Sequence, residues 1–136
     1  MGKTLGEIIS MRVKALGITQ KKMCEDLDIN PGNFSSFVKG KRGVKYHVLI
    51  SMLEYLGLTF GKEGEEVSNV AIADIPSFFK ECVKSTGKRV NELDLPIHSC
   101  TLVSFTTGDR MVTSTIIEKL MPIFGVTLLP YEKKED

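Results

Sequence analysis

Between positions 30 and 46 this chain sets small polar residues directly ahead of a cluster of cations. Asn30, Gly32, Asn33 and Ser36 come first; Lys39, Lys41, Arg42 and Lys45 follow. Short amides and hydroxyls hydrogen-bond without demanding burial. Closely spaced cations favour a polyanion, because each phosphate contact releases condensed counterions. The same residues also have roles that need no ligand. Asn30 before Pro31 is a helix cap, and cations after a terminal glycine complement a helix dipole.

Other chemistry has little support. His47 and His98 have no nucleophile or carboxylate at a spacing suited to catalysis, so no enzyme is expected. Cys24, Cys82 and Cys100 form no CxxC pair and have no histidine at ligand spacing, so they read as small reduced residues. No metal, cofactor or small-molecule ligand is expected. The N-terminus lacks the apolar stretch of a signal peptide, and no apolar run reaches the roughly 20 residues of a membrane span. A cytoplasmic chain with no membrane contact is the expectation.

The elements that must position these residues occur twice. Residues 27–60 return as residues 95–128: Phe37, Gly40, Arg42, Gly57 and Thr59 fall on Phe105, Gly108, Arg110, Gly125 and Thr127, each 68 positions on. A repeat of this length is a whole small helical unit. The chain of 136 residues is therefore expected to be all-α, with two tandem four-helix domains at 1–60 and 74–130, a linker at 61–73 and a charged tail at 131–136. Composition is ordinary for a globular protein, with 42% hydrophobic and 26% charged residues, and the net charge is only +1. The halves differ sharply. Residues 1–62 hold 10 Lys+Arg against 5 Asp+Glu, a net of +5; the remainder holds 8 against 12, a net of −4. Any polyanion belongs to the first copy.

Local signals set the helices. Thr4-Leu5-Gly6-Glu7 has the form of a reciprocal capping box, and Leu5, Ile8, Ile9, Val13 and Leu16 follow on one face before Gly17. Thr19 caps a second helix with Met23, Cys24 and Leu27 inward. After the Asp28-Ile29-Asn30 turn, Phe34, Phe37 and Val38 bury the third helix, and Gly40 ends it. A fourth helix runs from about Lys45 to Gly57, and residues 58–60 have strand composition. The second copy follows suit: a helix capped by Asp74, a second at about 88–93, a third at about 99–107, a fourth at about 113–124 and a strand-like segment at 126–129. Either strand-like segment has an edge suited to pairing, within the chain or between chains.

Two short helices joined by a tight turn, the second opening with small polar residues, make a helix-turn-helix. One helix enters a major groove about 12 Å wide while its partner crosses the backbone. Here the chain resembles the lambda-repressor-like family, which includes phage Cro proteins and the xenobiotic-response-element regulators. The resemblance runs from Leu16 to Leu58. It rests on Thr19-Gln20, Met23-Cys24, Leu27, Ile29, Phe34-Ser35, Phe37, Gly40-Lys41-Arg42 and Leu56-Gly57-Leu58, at the spacing of the family's T-Q-x-x-L-A-x-x-L-G-V-S-x-x-x-I-S-x-I-x-x-G-K-R pattern. Asp28 replaces the usual turn glycine and Val38 a common glutamate.

The resemblance implies a sequence-specific, double-stranded DNA-binding transcriptional regulator, repressor-like and working as a homodimer. It implies that Asn30, Gly32, Asn33 and Ser36 face the bases. It implies phosphate contacts for Gln20, Lys39, Lys41, Arg42, Lys45 and Tyr46. Pro31-Gly32 stand where the family often carries a long Gln, Lys or Arg, so the reading surface is sparse. Asn33 is the best base reader among the rest, its amide matching adenine's N6 and N7. The second copy keeps the core and loses this chemistry: Gly87 or Lys88 matches Gln20, Thr107 and Asp109 match Lys39 and Lys41, and Arg110 alone remains of the cluster. It reads as a degenerate copy used for packing or dimer formation. The alternative function is a protein–protein adaptor, antitoxin-like or phage-encoded, working through the acidic second half.

Overall fold

Helix α1 (Leu5–Ala15) starts where the Thr4 hydroxyl accepts the Glu7 N–H at 3.1 Å, one half of the expected capping box. Leu5, Ile9 and Val13 recur every four residues and are buried. Leu16, expected on the same face, is 45% exposed, because the helix stops at Ala15 and Gly17 turns away at φ 72°. The computed structural model describes residues 4–89, 92, 97, 99–108 and 111–132. The expected helix at 88–93, the turn residue His98, and Asp109 and Arg110 lie wholly or largely outside the described residues, as do tail residues 133–136.

Helix α2 (Gln20–Leu27) is capped by the Thr19 hydroxyl, which accepts the Lys22 N–H at 3.0 Å. Its end is a Schellman turn: Ile29 N–H donates to Cys24 O at 2.8 Å and Asp28 N–H to Glu25 O at 3.4 Å, with Asp28 left-handed at φ 57°. Helix α3 (Pro31–Val38) buries Phe34 and Phe37, their ring centroids 6.3 Å apart. It crosses α1 so closely that a Cβ on Gly6 would strike the backbone of Phe37 and Val38. Helix α4 (Tyr46–Leu56) buries Leu49, Met52, Leu53 and Leu56, ends in left-handed Gly57, and leads into strand β1 (Leu58–Lys62).

In the second repeat a short 3-10 turn (Ile72–Asp74) precedes α5 (Ile75–Ser85), whose Ile75, Phe79, Cys82 and Val83 are buried. Asp74 stands at the N-cap position but makes no side-chain cap bond, because that turn already leads the chain into the helix. Helices α6 (Ser99–Thr106) and α7 (Ser114–Phe124) and strand β2 (Val126–Pro130) complete the chain. The fold is mostly helical, with seven helices and one small two-stranded sheet among the described residues.

That sheet joins the repeats. β1 and β2 pair antiparallel, with Leu58 opposite Pro130, Phe60 opposite Leu128 and Lys62 opposite Val126. Phe60 and Leu128 are 68 positions apart, the displacement of the repeat, so they mark a pseudo-twofold axis. The bonds flanking the ladder obey the same symmetry: Glu63 N–H donates to Gly125 O and Tyr131 N–H to Gly57 O, both at 2.8 Å. Phe60 is fully buried, with its ring 5.5 Å from Phe79, and buried residues of both repeats form one continuous core.

The segment expected as a linker at 61–73 is tied into this sheet. Buried Ser68 donates through Oγ to Phe60 O at 2.7 Å, its N–H donates to Pro130 O at 3.0 Å, and Thr59 Oγ1 donates to Val70 O at 2.8 Å. The start of the expected tail is likewise held, with Tyr131 bridged to Ser68. No helix among the described residues is long and apolar enough to cross a membrane.

Candidate nucleic-acid interface

The turn between α2 and α3 is rigid for local reasons. The Schellman bonds close one helix, and Asn30 opens the next, its Oδ1 accepting N–H groups of Gly32 at 2.8 Å and Asn33 at 3.2 Å. Cys24 is buried behind this corner and Leu27 and Ile29 are half-buried, so apolar contacts fix the angle between the helices. Tyr55 of α4 braces α2 from outside: its hydroxyl donates to Asp26 Oδ2 at 2.6 Å, and Lys22 sits 3.1 Å from Asp26 Oδ1. The Tyr55 bond and then the Lys22 contact hold the Asp26 carboxyl below its ordinary range.

The expected base-facing residues come to one surface. Asn30, Gly32 and Asn33 are exposed on the first turn of α3, and Ser36 is half-buried one turn on. Lys39, Lys41, Arg42 and Lys45 are exposed beside them. Between Asp28 and Glu54 the chain carries these four cations and no carboxylate. A groove of ≈ 510 Å³ runs between the first turn of α3 and the start of α4, with Asn33, Arg42, Lys45 and His47 on its walls. His47 and Ser51 are polar members of this groove that the sequence reading missed, since only the packing of α4 brings them beside α3.

Three expected contacts are engaged elsewhere. Gln20 donates through Nε2 to Ser10 Oγ of α1 at 3.1 Å, which pins α2 to α1. Tyr46 turns its ring onto Phe105 of the second repeat, edge-on at 5.8 Å, and burial pushes its hydroxyl up to about 12. It therefore serves packing between the repeats, because the N-termini of α4 and α7 meet near the pseudo-axis. Asn33 accepts a hydrogen bond through Oδ1 from Arg42 Nη1 at 2.8 Å, so its acceptor is already occupied.

The loop carrying Arg42 is clamped by the second repeat. Ser114, buried at the start of α7, accepts the Val44 N–H on Oγ at 2.9 Å and donates its own N–H to Val44 O at 3.0 Å. Gly43 lies so close beneath Thr115 that a Cβ would collide with its hydroxyl and with Ser114 Oγ. The only sequence signal for this clamp is that Ser114 aligns with Tyr46, a small hydroxyl where the other copy has an aromatic. At the far side of α1, the Leu5 N–H donates to Glu118 Oε1 of α7 at 2.8 Å, placing an acid at a helix N-terminus.

The matching surface of α6 is different. Its described residues contain no Lys or Arg, and Val103, the counterpart of Ser35, is 45% exposed. Thr106 and Thr107 spend their hydroxyls on carbonyls of their own helix, among them Val103 O at 3.1 and 3.0 Å. Among the described residues no group of three or more His, Cys, Asp or Glu could hold a metal ion. Cys24 and Cys82 are buried, and burial raises both thiols above their ordinary range. No protein-family model, curated protein or solved structure matches the chain.

Proposed function

We propose that the chain is a sequence-specific double-stranded DNA-binding regulator of the helix-turn-helix type. In this reading α3 enters the major groove, and the second repeat is a degenerate helix-turn-helix domain. One observation carries it: the exposed polar start of α3 is flanked by four exposed cations, with no carboxylate between Asp28 and Glu54, although Asp28 of the turn lines the same groove. A cationic edge beside small amides fits a phosphate backbone beside a groove.

The strand pairing supports a pseudo-dimer of the two repeats within one polypeptide. β1 and β2 of the same chain pair along one edge of each strand. With the cation cluster after α3 reduced to Arg110 in the second copy, the regulator would read one half-site strongly and rest lightly on the other.

A salt series on duplex DNA tests this. Each phosphate neutralised contributes about −0.9 to the slope of log K against log salt, so phosphate contacts by Lys39, Lys41 and Lys45 give a slope near −2.7, and a fourth by Arg42 would bring it near −3.6. Lys41→Glu combined with Arg42→Glu should abolish measurable binding at moderate salt. Binding that survives that double change would refute the assigned surface. No binding at any salt would return the reading to a protein–protein adaptor working through the acidic second half.

A further inference from the structure

Asn33 completes the first turn of α3, yet its side chain is not spent on the helix, because Asn30 makes the cap. Its Oδ1 accepts from Arg42 Nη1 instead. A guanidinium has five donors and no acceptor, so the amide has only one possible orientation: oxygen toward Arg42, NH2 away from it. The ion pairs among the described residues are Lys22–Asp26 and Lys84–Glu81, so no described carboxylate is paired with Arg42, although Asp28 lines the same groove. The base of this side chain is held from both sides. Lys41 N–H donates to Ser36 O at 2.9 Å before it, and Val44 is clamped by Ser114 after it.

Resting on the DNA-binding reading above, we propose that Arg42 and Asn33 form one reading unit that selects guanine over adenine, Arg42 reading the base and Asn33 positioning the guanidinium fork. In the major groove guanine shows two acceptors, N7 and O6, whereas adenine pairs the N7 acceptor with an N6 amino donor. The unit turns its amide oxygen onto the guanidinium and faces outward with N–H groups from Arg42 and from Asn33 Nδ2. Two acceptors of guanine meet two donors. An adenine would set its amino group against a cation, and Asn33 could pair with adenine only by releasing Arg42. Arg42 thereby moves from the backbone-gripping set to the base-reading set, and the base expected at Asn33 changes from adenine to guanine.

Selection of sites from a random duplex library by the full chain, followed by affinity measurements on the selected duplex and its single-base variants, tests the proposal. The proteins compared are the wild type, Asn33→Ala, Arg42→Ala, Arg42→Lys and Lys41→Ala, each shown by circular dichroism to melt as the wild type does. One position should be guanine. Exchange for adenine there should weaken the wild type about tenfold or more, and that discrimination should fall within about twofold in all three variants at positions 33 and 42. Arg42→Lys keeps the charge and loses the fork, so it should retain the wild-type salt dependence without the preference. Lys41→Ala should weaken all sequences alike and keep the preference.

Selection of adenine would overturn the proposal. So would Arg42→Ala weakening every sequence equally with a salt slope shallower by about one phosphate contact, which marks a backbone contact and leaves DNA binding itself intact. A guanine preference untouched by Asn33→Ala would overturn the pairing of the two residues. Failure of the wild type to bind any duplex at low salt would sink the proposal together with the DNA-binding reading beneath it.

Discussion

Ser114→Ala removes one hydroxyl that lies 70 positions from the loop it holds. The hydroxyl is buried, and its loss leaves the Val44 N–H without its 2.9 Å acceptor while the reverse bond, Ser114 N–H to Val44 O, remains. An unsatisfied donor at a buried interface costs about 1–3 kcal/mol, and half-burial of Val44 puts this one in the lower part of that range. Alanine's better helix propensity returns about 0.5 kcal/mol at most. The net expectation is about 1 kcal/mol, a fall in Tm of roughly 3–5 °C for a chain of this size. Thermal melts followed by circular dichroism read it directly. Thr113→Ala is the control: Thr113 occupies the N-cap position of α7 and makes no side-chain cap bond, so its loss should cost less than about 0.5 kcal/mol. A Thr113→Ala loss equal to that of Ser114→Ala would refute the clamp, since both would then report only fraying of α7. On the proposed DNA-binding reading, Ser114→Ala should also weaken DNA binding at temperatures where the protein remains folded, because Arg42 loses its support.

Two further outcomes follow from backbone and burial. Asp28 holds a left-handed conformation that costs a side-chain-bearing residue about 1 kcal/mol, so Asp28→Gly should gain about 0.5 kcal/mol and Asp28→Ala should lose a similar amount. Equal urea midpoints for the Gly and Ala variants would refute this reading of the turn. Burial raises the Tyr46 hydroxyl from 10.0 to about 12 in the folded chain. A raised folded value means its stabilisation is complete below pH 10 and is lost as pH climbs through about 12. Tyr46→Phe should therefore match the wild type at pH 9 and unfold less readily between pH 10 and 12, and identical alkaline melts would contradict the buried placement.

The helices were largely legible because their signals are short-range. Thr19, Asn30-Pro31, Gly40 and Gly57 announce starts and stops within a turn of where they act, and the apolar spacing of Leu49, Met52, Leu53 and Leu56 sets the buried face of α4. Leu16 and Asp74 were misread for the same local reason: a helix ending one residue early, or entered through a 3-10 turn, changes a side chain's role without changing its pattern. The site divides along the same line. That Asn33 and Arg42 share a surface is nearly readable from a helix followed by a glycine turn, but that one occupies the other's acceptor is not.

By itself, the sequence determined that the chain repeats, where most of its helices lie, and that its net positive charge lies in the first copy. These are properties of composition and of contacts within a few residues. Tertiary structure alone decided that β1 pairs with β2 in a register centred on Phe60 and Leu128, that residues 61–73 are tied onto that pair, that Tyr46 packs on Phe105, and that Ser114 holds the Arg42 loop. Each of those choices joins groups far apart along the chain. Their free energy comes from apolar area and hydrogen bonds shared between repeats, and no local preference records which distant partner will share them.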